Sequence, residues 1–263
     1  MNSDVNFTQI LFERNGDGVV TITLNRPDKL NSFTRVMAKE MRSAWRLVVD
    51  DTSIRAVVLC GAPGRAFCAG VDVGEAWPWP DDLPFDFRDP GEWLGPKSNR
   101  CWKPVICAVH GIVAGGAFYF LNESDIVICS EDAQFFDPHV TFGRVTAVEP
   151  VGALHHMPYQ EVMRMALLGN DERISAATAL RISLVTEVVK GEALLERATE
   201  LARRIAAKPA AAIQGSVRAI WESLDMPGAA GVRNSLKYTQ LGNAIGLAES
   251  ARNPAPKAKW TLR

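Results

Sequence analysis

The sequence predicts an α/β fold, and three observations carry that expectation. Short, wholly apolar runs recur at residues 56–60, 105–109 and 126–129. Segments of helical periodicity lie between and after them. Strands without a polar face suit sheets covered on both sides, as in α/β proteins.

The elements follow in order. Residues 10–12 and 19–24 read as a hairpin around Asn15, Gly16, Asp17 and Gly18, a turn-forming cluster. Asn25, Arg26, Pro27 and Asp28 break the second strand. A helix then runs from Ser32 or Thr34 to Val49, with Met37, Met41, Ala44, Trp45 and Val48 on one face. The strand at 56–60 is ended by Gly61, Ala62, Pro63 and Gly64. Residues 77–96 are rich in Trp, Pro and Phe, including Trp77, Trp79, Phe85, Phe87 and Trp93. This stretch reads either as a surface loop packing its own aromatics or as the wall of an apolar ligand pocket. After Glu149 the pattern turns helical, at 158–168, 175–180, 192–207, 209–224 and 231–252. The last two alternate apolar and basic residues, which suits partner-facing helices, and the tail from Asn253 is expected to be exposed.

Composition narrows the function. The 263 residues fit one large domain or one domain plus an appendage. Lys and Arg number 29 against 30 Asp and Glu, a formal net charge of −1, so polyanion and membrane-surface binding lack an electrostatic driver. No nucleic-acid or membrane partner is expected. Five cysteines (Cys60, Cys68, Cys101, Cys107 and Cys129) are odd in number and lack CxxC spacing. They read as reduced thiols of a cytoplasmic protein rather than a disulfide framework or zinc site. Residues 1–7 show no apolar core of a secretion signal. From Val105 to Leu121 the chain has no Asp, Glu, Lys or Arg, but Gly111, Gly115 and Gly116 interrupt it. A membrane span needs about 20 apolar residues, so a buried strand, a glycine turn and a helix start fit better.

Two glycine-containing turns carry the chemistry. Residues 65–72 follow the first apolar strand, and residues 110–117 follow the second and open a helix. Neither matches GxGxxG or GxxxxGK[ST], so nucleotide-phosphate loops are not supported. Such turns do leave backbone N–H groups unpaired, and two of them converging on one point make an oxyanion hole. Taken singly, each turn reads equally as a tight strand-to-helix connection.

Together the motifs resemble a known family. Leu24-Asn25-Arg26-Pro27, Leu30-Asn31-Ser32, Ala66-Phe67-Cys68-Ala69-Gly70-Val71-Asp72, Lys103-Pro104-Val105-Ile106, Gly111, Gly115-Gly116 and Ser124-Asp125-Ile126 occur in the order of the crotonase (enoyl-CoA hydratase/isomerase) superfamily. Ala133-Gln134-Phe135, Gly143, Leu168-Gly169, Arg173-Ile174-Ser175-Ala176 and Leu184-Val185 extend the match to about Val189. The resemblance implies a ClpP-like spiral of ββα units with a C-terminal helical trimerisation region. That divides the chain into a core over 1–200 with the acyl-CoA site and a helical region over 201–263. It also implies a homotrimer or dimer of trimers and an acyl-CoA thioester as substrate. Coenzyme A enters as part of that substrate, and no prosthetic group is expected. By position, the oxyanion donors are the N–H groups of Val71 and Gly116. Lys29, Ser32, Ala69, Gly70 and Asp72 fall where the family lines its CoA channel.

The sequence departs from the family at the acid–base positions. Hydratases carry one glutamate three residues after the oxyanion glycine and another twenty residues later. Here those places hold Tyr119 and His139. Groups of pKa about 10 and 6.5 do not copy two carboxylates of pKa about 4.3, so standard crotonyl-CoA hydration is not expected. A histidine near neutrality is a competent general base when a partner orients it. Asp137, Glu123 and Glu149 are the carboxylates within reach, and Glu149 lies on a segment that the family folds over the site. The expected catalytic set is therefore His139, Tyr119 and Glu149, for lyase, isomerase or hydrolase chemistry on an enolate. A non-catalytic acyl-CoA binder and a His-assisted carbon–carbon bond hydrolase of a diketone remain alternatives. His110 is expected to bond locally. His155 and His156 lack the i, i+4 spacing of a metal pair, and no metal is expected.

Overall fold

The computed structural model describes residues 6–75, 89, 91–254 and 260–262. Most of the aromatic-rich stretch, including Trp77, Trp79, Phe85 and Phe87, lies outside the described residues, as do 255–259 of the tail. Strand β1 (Ile10–Arg14) pairs antiparallel with β2 (Val19–Leu24), with Ile10 opposite Leu24, as the turn cluster predicts. Helix α1 (Arg35–Asp50) begins where Thr34 accepts the Met37 N–H at 3.1 Å, and it buries Met37, Ala38, Met41, Ala44, Trp45 and Val48.

A repeat of paired strands then builds the molecule. β3 (Ala56–Gly61) is followed by β4 (Ala66–Cys68) and, further on, by helix α2 (Gly91–Leu94). β5 (Val105–Val109) is followed by β6 (Ile112–Ala114) and α3 (Phe118–Asn122). β7 (Ile126–Ser130) is followed by β8 (Gln134–Phe136) and α4 (Val148–Ala153). The first strand of each pair joins one mainly parallel sheet, and the second joins another. Each turn of the chain thus adds a strand to both sheets, which is the spiral of ββα units that the sequence implied. Gly111 stands at one corner with φ +55°, where an added Cβ would lie 2.3 Å from the Arg65 carbonyl oxygen.

The remaining elements close the structure. Helix α5 (Tyr159–Leu168) precedes β9 (Ile174–Ser175), which ends the second sheet in the order β4-β6-β8-β9. Helix α6 (Ala176–Arg181) leads to β10 (Glu187–Val189), the edge of the first sheet, ordered β1-β2-β3-β5-β7-β10. Helices α7 (Leu194–Ala206), α8 (Ala210–Ser223) and α9 (Gly228–Arg252) follow.

The apolar strands have no polar face because alternate residues enter different cores. Val57, Leu59, Val105, Cys107 and Val109 pack in one cluster with α1, Phe67, Phe118 and Phe120. Val58, Cys60, Ile106, Ala108 and Ile128 pack in a second cluster with Leu194, Ala198, Ala202 and Ala206. Those four residues of α7 recur every fourth position and form one helix face, where the small alanines let the helix lie close to the sheet. The expected boundary at residue 200 falls within this helix. All five cysteines are buried and unbonded to one another. Among the described residues, no helix is long and apolar enough to cross a membrane.

Candidate active site

Both glycine turns meet at one place. After β4 the chain passes through Gly70, at φ +87°, into Val71, which bridges to Phe33. Phe33 N–H donates to the Gly70 carbonyl and Asp72 N–H to the Phe33 carbonyl, both at 2.9 Å. This bridge uses its neighbours and leaves the Val71 N–H without an acceptor among the described residues. A Cβ on Gly70 would lie 3.0 Å from the Ala114 oxygen and 3.1 Å from the Gly116 nitrogen, so the two turns are in backbone contact. Gly116 sits in a 3-10 turn (Gly115–Ala117) leading into α3, and its N–H is likewise unspent among the described residues.

The rim beside Val71 gathers the expected CoA-channel residues. Ala69 N–H donates to the Leu30 carbonyl at 3.1 Å, and Ser32 Oγ donates to the Lys29 carbonyl at 2.8 Å. Asp72 accepts the Gly74 N–H at 3.0 Å and pairs with Arg26 at 2.8 Å. Those contacts, Gly74 first and Arg26 second, hold the Asp72 carboxyl below its ordinary range. Lys29 is exposed on a short turn (Pro27–Lys29) at this rim.

Tyr119 follows Gly116 by less than one helical turn. Its ring meets Phe33 edge-on at 6.3 Å, and its hydroxyl donates to Asp89 Oδ2 at 3.0 Å. Burial, then the nearby charges of Glu149 and Asp89, push the phenol pKa well up, so it stays protonated. Asp89 was invisible to sequence reasoning, since an acid ahead of a proline in a loop carries no signal of its partner.

His139, the third residue after β8, opens a 3-10 turn (His139–Phe142). Its ring lies beside the second glycine turn, with Cε1 3.5 Å from where a Gly115 Cβ would stand. Nδ1 is 2.6 Å from Asp137 Oδ1, and Nε2 is 3.8 Å from Glu149 Oε1. The bond to Asp137 raises the imidazole pKa; burial and Arg144 oppose that, and Glu149 adds to it. Burial would raise Asp137, but hydrogen bonds from His139 and Thr146 outweigh it and hold the carboxyl low. Burial raises Glu149, against the pull of His139. Asp137, His139 and Glu149 present donor atoms within 4.8 Å of one another, a spacing that suits a metal ion. Asp137 Oδ1 is committed to Nδ1, however, so the chemistry of the set is that of an oriented imidazole facing a second carboxylate.

Two sequence expectations change. Glu123 does not reach His139; its carboxylate accepts the Ser98 N–H at 2.8 Å and the Ser98 hydroxyl instead. His110 does not bond through Nε2, which has no partner among the described residues. His155 and His156 both lie in the turn after α4, and His156 Nε2 contacts the Asn122 carbonyl at 3.0 Å.

Comparison with known proteins places this geometry. The family model for enoyl-CoA hydratase/isomerase matches residues 14–240. The (E)-benzylidenesuccinyl-CoA hydratase of Thauera aromatica is 32% identical over 224 residues, 85% of each chain. The 1,2-epoxyphenylacetyl-CoA isomerase of Escherichia coli is 34% identical over 207 residues, 73% of this chain and 74% of that one. The crystal structure of an enoyl-CoA hydratase/isomerase from Mycobacterium paratuberculosis superposes with a TM-score of 0.85 at 33% identity, covering 98% of this chain and 100% of that one.

Proposed function

Because the chain belongs to the enoyl-CoA hydratase/isomerase family, whose members act on CoA thioesters, we propose that it is an enzyme of acyl-CoA enolates in which His139 carries the proton. The thioester carbonyl would rest on the N–H groups of Val71 and Gly116. Each such donor is worth about 3–4 kcal/mol to a developing oxyanion. Lys29, Ser32, Ala69, Gly70 and Asp72 would line the approach of coenzyme A, which enters as part of the substrate.

One observation carries the acid–base assignment. His139 Nε2 stands 3.8 Å from Glu149 Oε1 while Nδ1 is occupied by Asp137. Two groups that close together both reach one water at about 2.8 Å, the ordinary hydrogen-bond length. A histidine–glutamate pair thereby supplies what the family's two glutamates supply, a positioned water and a proton for the α-carbon. His139 takes the place of one family glutamate but Glu149 comes from another segment, so transfer of the small-substrate activity is not assumed. Both named relatives take aryl-bearing acyl groups, and the edge-on rings of Phe33 and Tyr119 support an apolar acyl group here. The reaction proposed is reversible proton transfer, with water addition, at the α- and β-carbons of a bulky 2-enoyl thioester.

Solvent exchange tests this. Incubation of an arylacyl-CoA in D2O is expected to label the α-carbon with the wild-type protein. His139→Ala is expected to bind the thioester and leave it unlabelled. No labelling by the wild type despite binding would favour an acyl-CoA-binding protein. Cleavage of a β-diketone without CoA would favour the carbon–carbon hydrolase. The homotrimer belongs to the same proposal, supported by exposed Ile220, Leu241 and Ile245 on α8 and α9.

A further inference from the structure

We propose that Asp137 is the positioning residue of the site, holding His139 in the tautomer that leaves Nε2 as its working nitrogen. The inference rests on the assignment of His139 as proton carrier and says how the chain prepares it.

Asp137 has no solvent-exposed surface, and an isolated buried carboxylate is strongly disfavoured. It persists because both its oxygens are used. Oδ1 accepts the His139 backbone N–H at 3.0 Å and faces Nδ1 at 2.6 Å; Oδ2 accepts the Thr146 hydroxyl at 2.7 Å. An ionised carboxylate accepts but does not donate, so Nδ1 must carry the hydrogen in that contact. Nε2 of the neutral ring then holds the lone pair, on the side of Glu149. The backbone bond fixes the start of the 3-10 turn, and the side-chain bond fixes the ring on it. Thr146 ties the far end of the same loop to the same carboxylate. The groups bearing on the imidazole are Asp137 and Arg144 from its own loop and Glu149 from α4, with Tyr119 and Asp89 beyond Glu149.

A purely structural Asp137 would cap the turn and nothing more. Asparagine keeps that cap and the shape but not the charge, and it is no longer confined to accepting from Nδ1. Loss of the orienting charge in a comparable triad lowers kcat by about 10⁴-fold through the wrong tautomer.

Nitrogen-15 NMR of the ligand-free, histidine-labelled protein tests the proposal without any substrate, using His139→Ala to identify the resonances. The wild-type neutral ring is expected to be protonated at Nδ1. Asp137→Asn is expected to lower the His139 titration midpoint by about one unit or more. Its thermal midpoint should change far less above the measured His139 midpoint, where the imidazole is neutral, than below it. A neutral ring protonated at Nε2, or a midpoint unmoved in Asp137→Asn, overturns the proposal. The wild-type tautomer is decisive even if the variant fails to fold. Absence of α-carbon exchange would strike the assignment of His139 as proton carrier, and the tautomer measurement would stand apart from it.

Discussion

Gly116→Ala probes the proposed oxyanion turn separately from the proposed acid–base pair of His139 and Glu149. The glycine φ is not in the left-handed region, so alanine brings no backbone strain there; the effect is steric. Its Cβ would stand 2.6 Å from Phe33 Cε1, 2.9 Å from Phe33 Cζ and 3.4 Å from Tyr119 Cε2. Carbon contacts optimise near 3.5–4.0 Å, so the Phe33 ring must retreat by about 1 Å. Phe33 is fully buried and is bridged through its backbone to Gly70 and Asp72, on either side of Val71. Moving it therefore disturbs both proposed N–H donors at once. Overpacking of this kind costs about 1–3 kcal/mol. At about 2–4 °C per kcal/mol for a domain near this size, the melting temperature falls by about 2–12 °C. Displacing one oxyanion donor lowers turnover by about 10²–10³-fold. The assay is α-carbon exchange in D2O beside a thermal melt, run also on Gly116→Ala with Phe33→Leu. The second change opens space and is expected to recover most of the stability. A Gly116→Ala protein with wild-type exchange and melting would refute the steric argument and the placement of the oxyanion site together.

Other outcomes follow from the same contacts. Glu149→Gln removes the charge facing Nε2, and the His139 midpoint is expected to fall by about one unit, read by NMR titration. Asp137 is held below its ordinary value, so its contribution is present above pH of about 3.9 and lost as pH falls through the folded value; His139 is raised, so its contribution is present below pH of about 6.5 and lost as pH rises through the folded value. The melting difference between wild type and Asp137→Asn is thus expected to be widest between those limits, measured by calorimetry across pH. Trp45→Phe leaves the Leu94 carbonyl without the indole N–H that now reaches it at 2.8 Å, and is expected to destabilise by about 2–4 kcal/mol in denaturant unfolding. Sedimentation is expected to show a homotrimer, and Leu241→Glu with Ile245→Glu, at positions 70% and 57% exposed, to dissociate it.

What the sequence determined by itself was local chemistry and its order. The i, i+4 spacing of Met37, Met41 and Trp45 forces one buried helix face, and Val57 to Cys60 without a polar residue forces a strand covered twice. The ordered glycines and their flanking motifs were enough to imply the spiral and the oxyanion turns, because backbone donors need only the right turn and not a particular side chain. The second sheet was not legible. β4, β6 and β8 are three residues long, too short for a two-residue period to show, and only their alignment across the spiral makes them a sheet. Helix α4 was hidden for a similar reason, since six residues containing proline and glycine carry no helical signal. The proposed acid–base site belongs to the tertiary structure most of all. Tyr119 and His139 were visible as departures from a pattern and Glu149 as a carboxylate within reach, but Asp89 carried no signal. The effect of the two carboxylates on proton affinity depends on burial and on separations of 3.0 and 3.8 Å, quantities that exist only once the chain has folded.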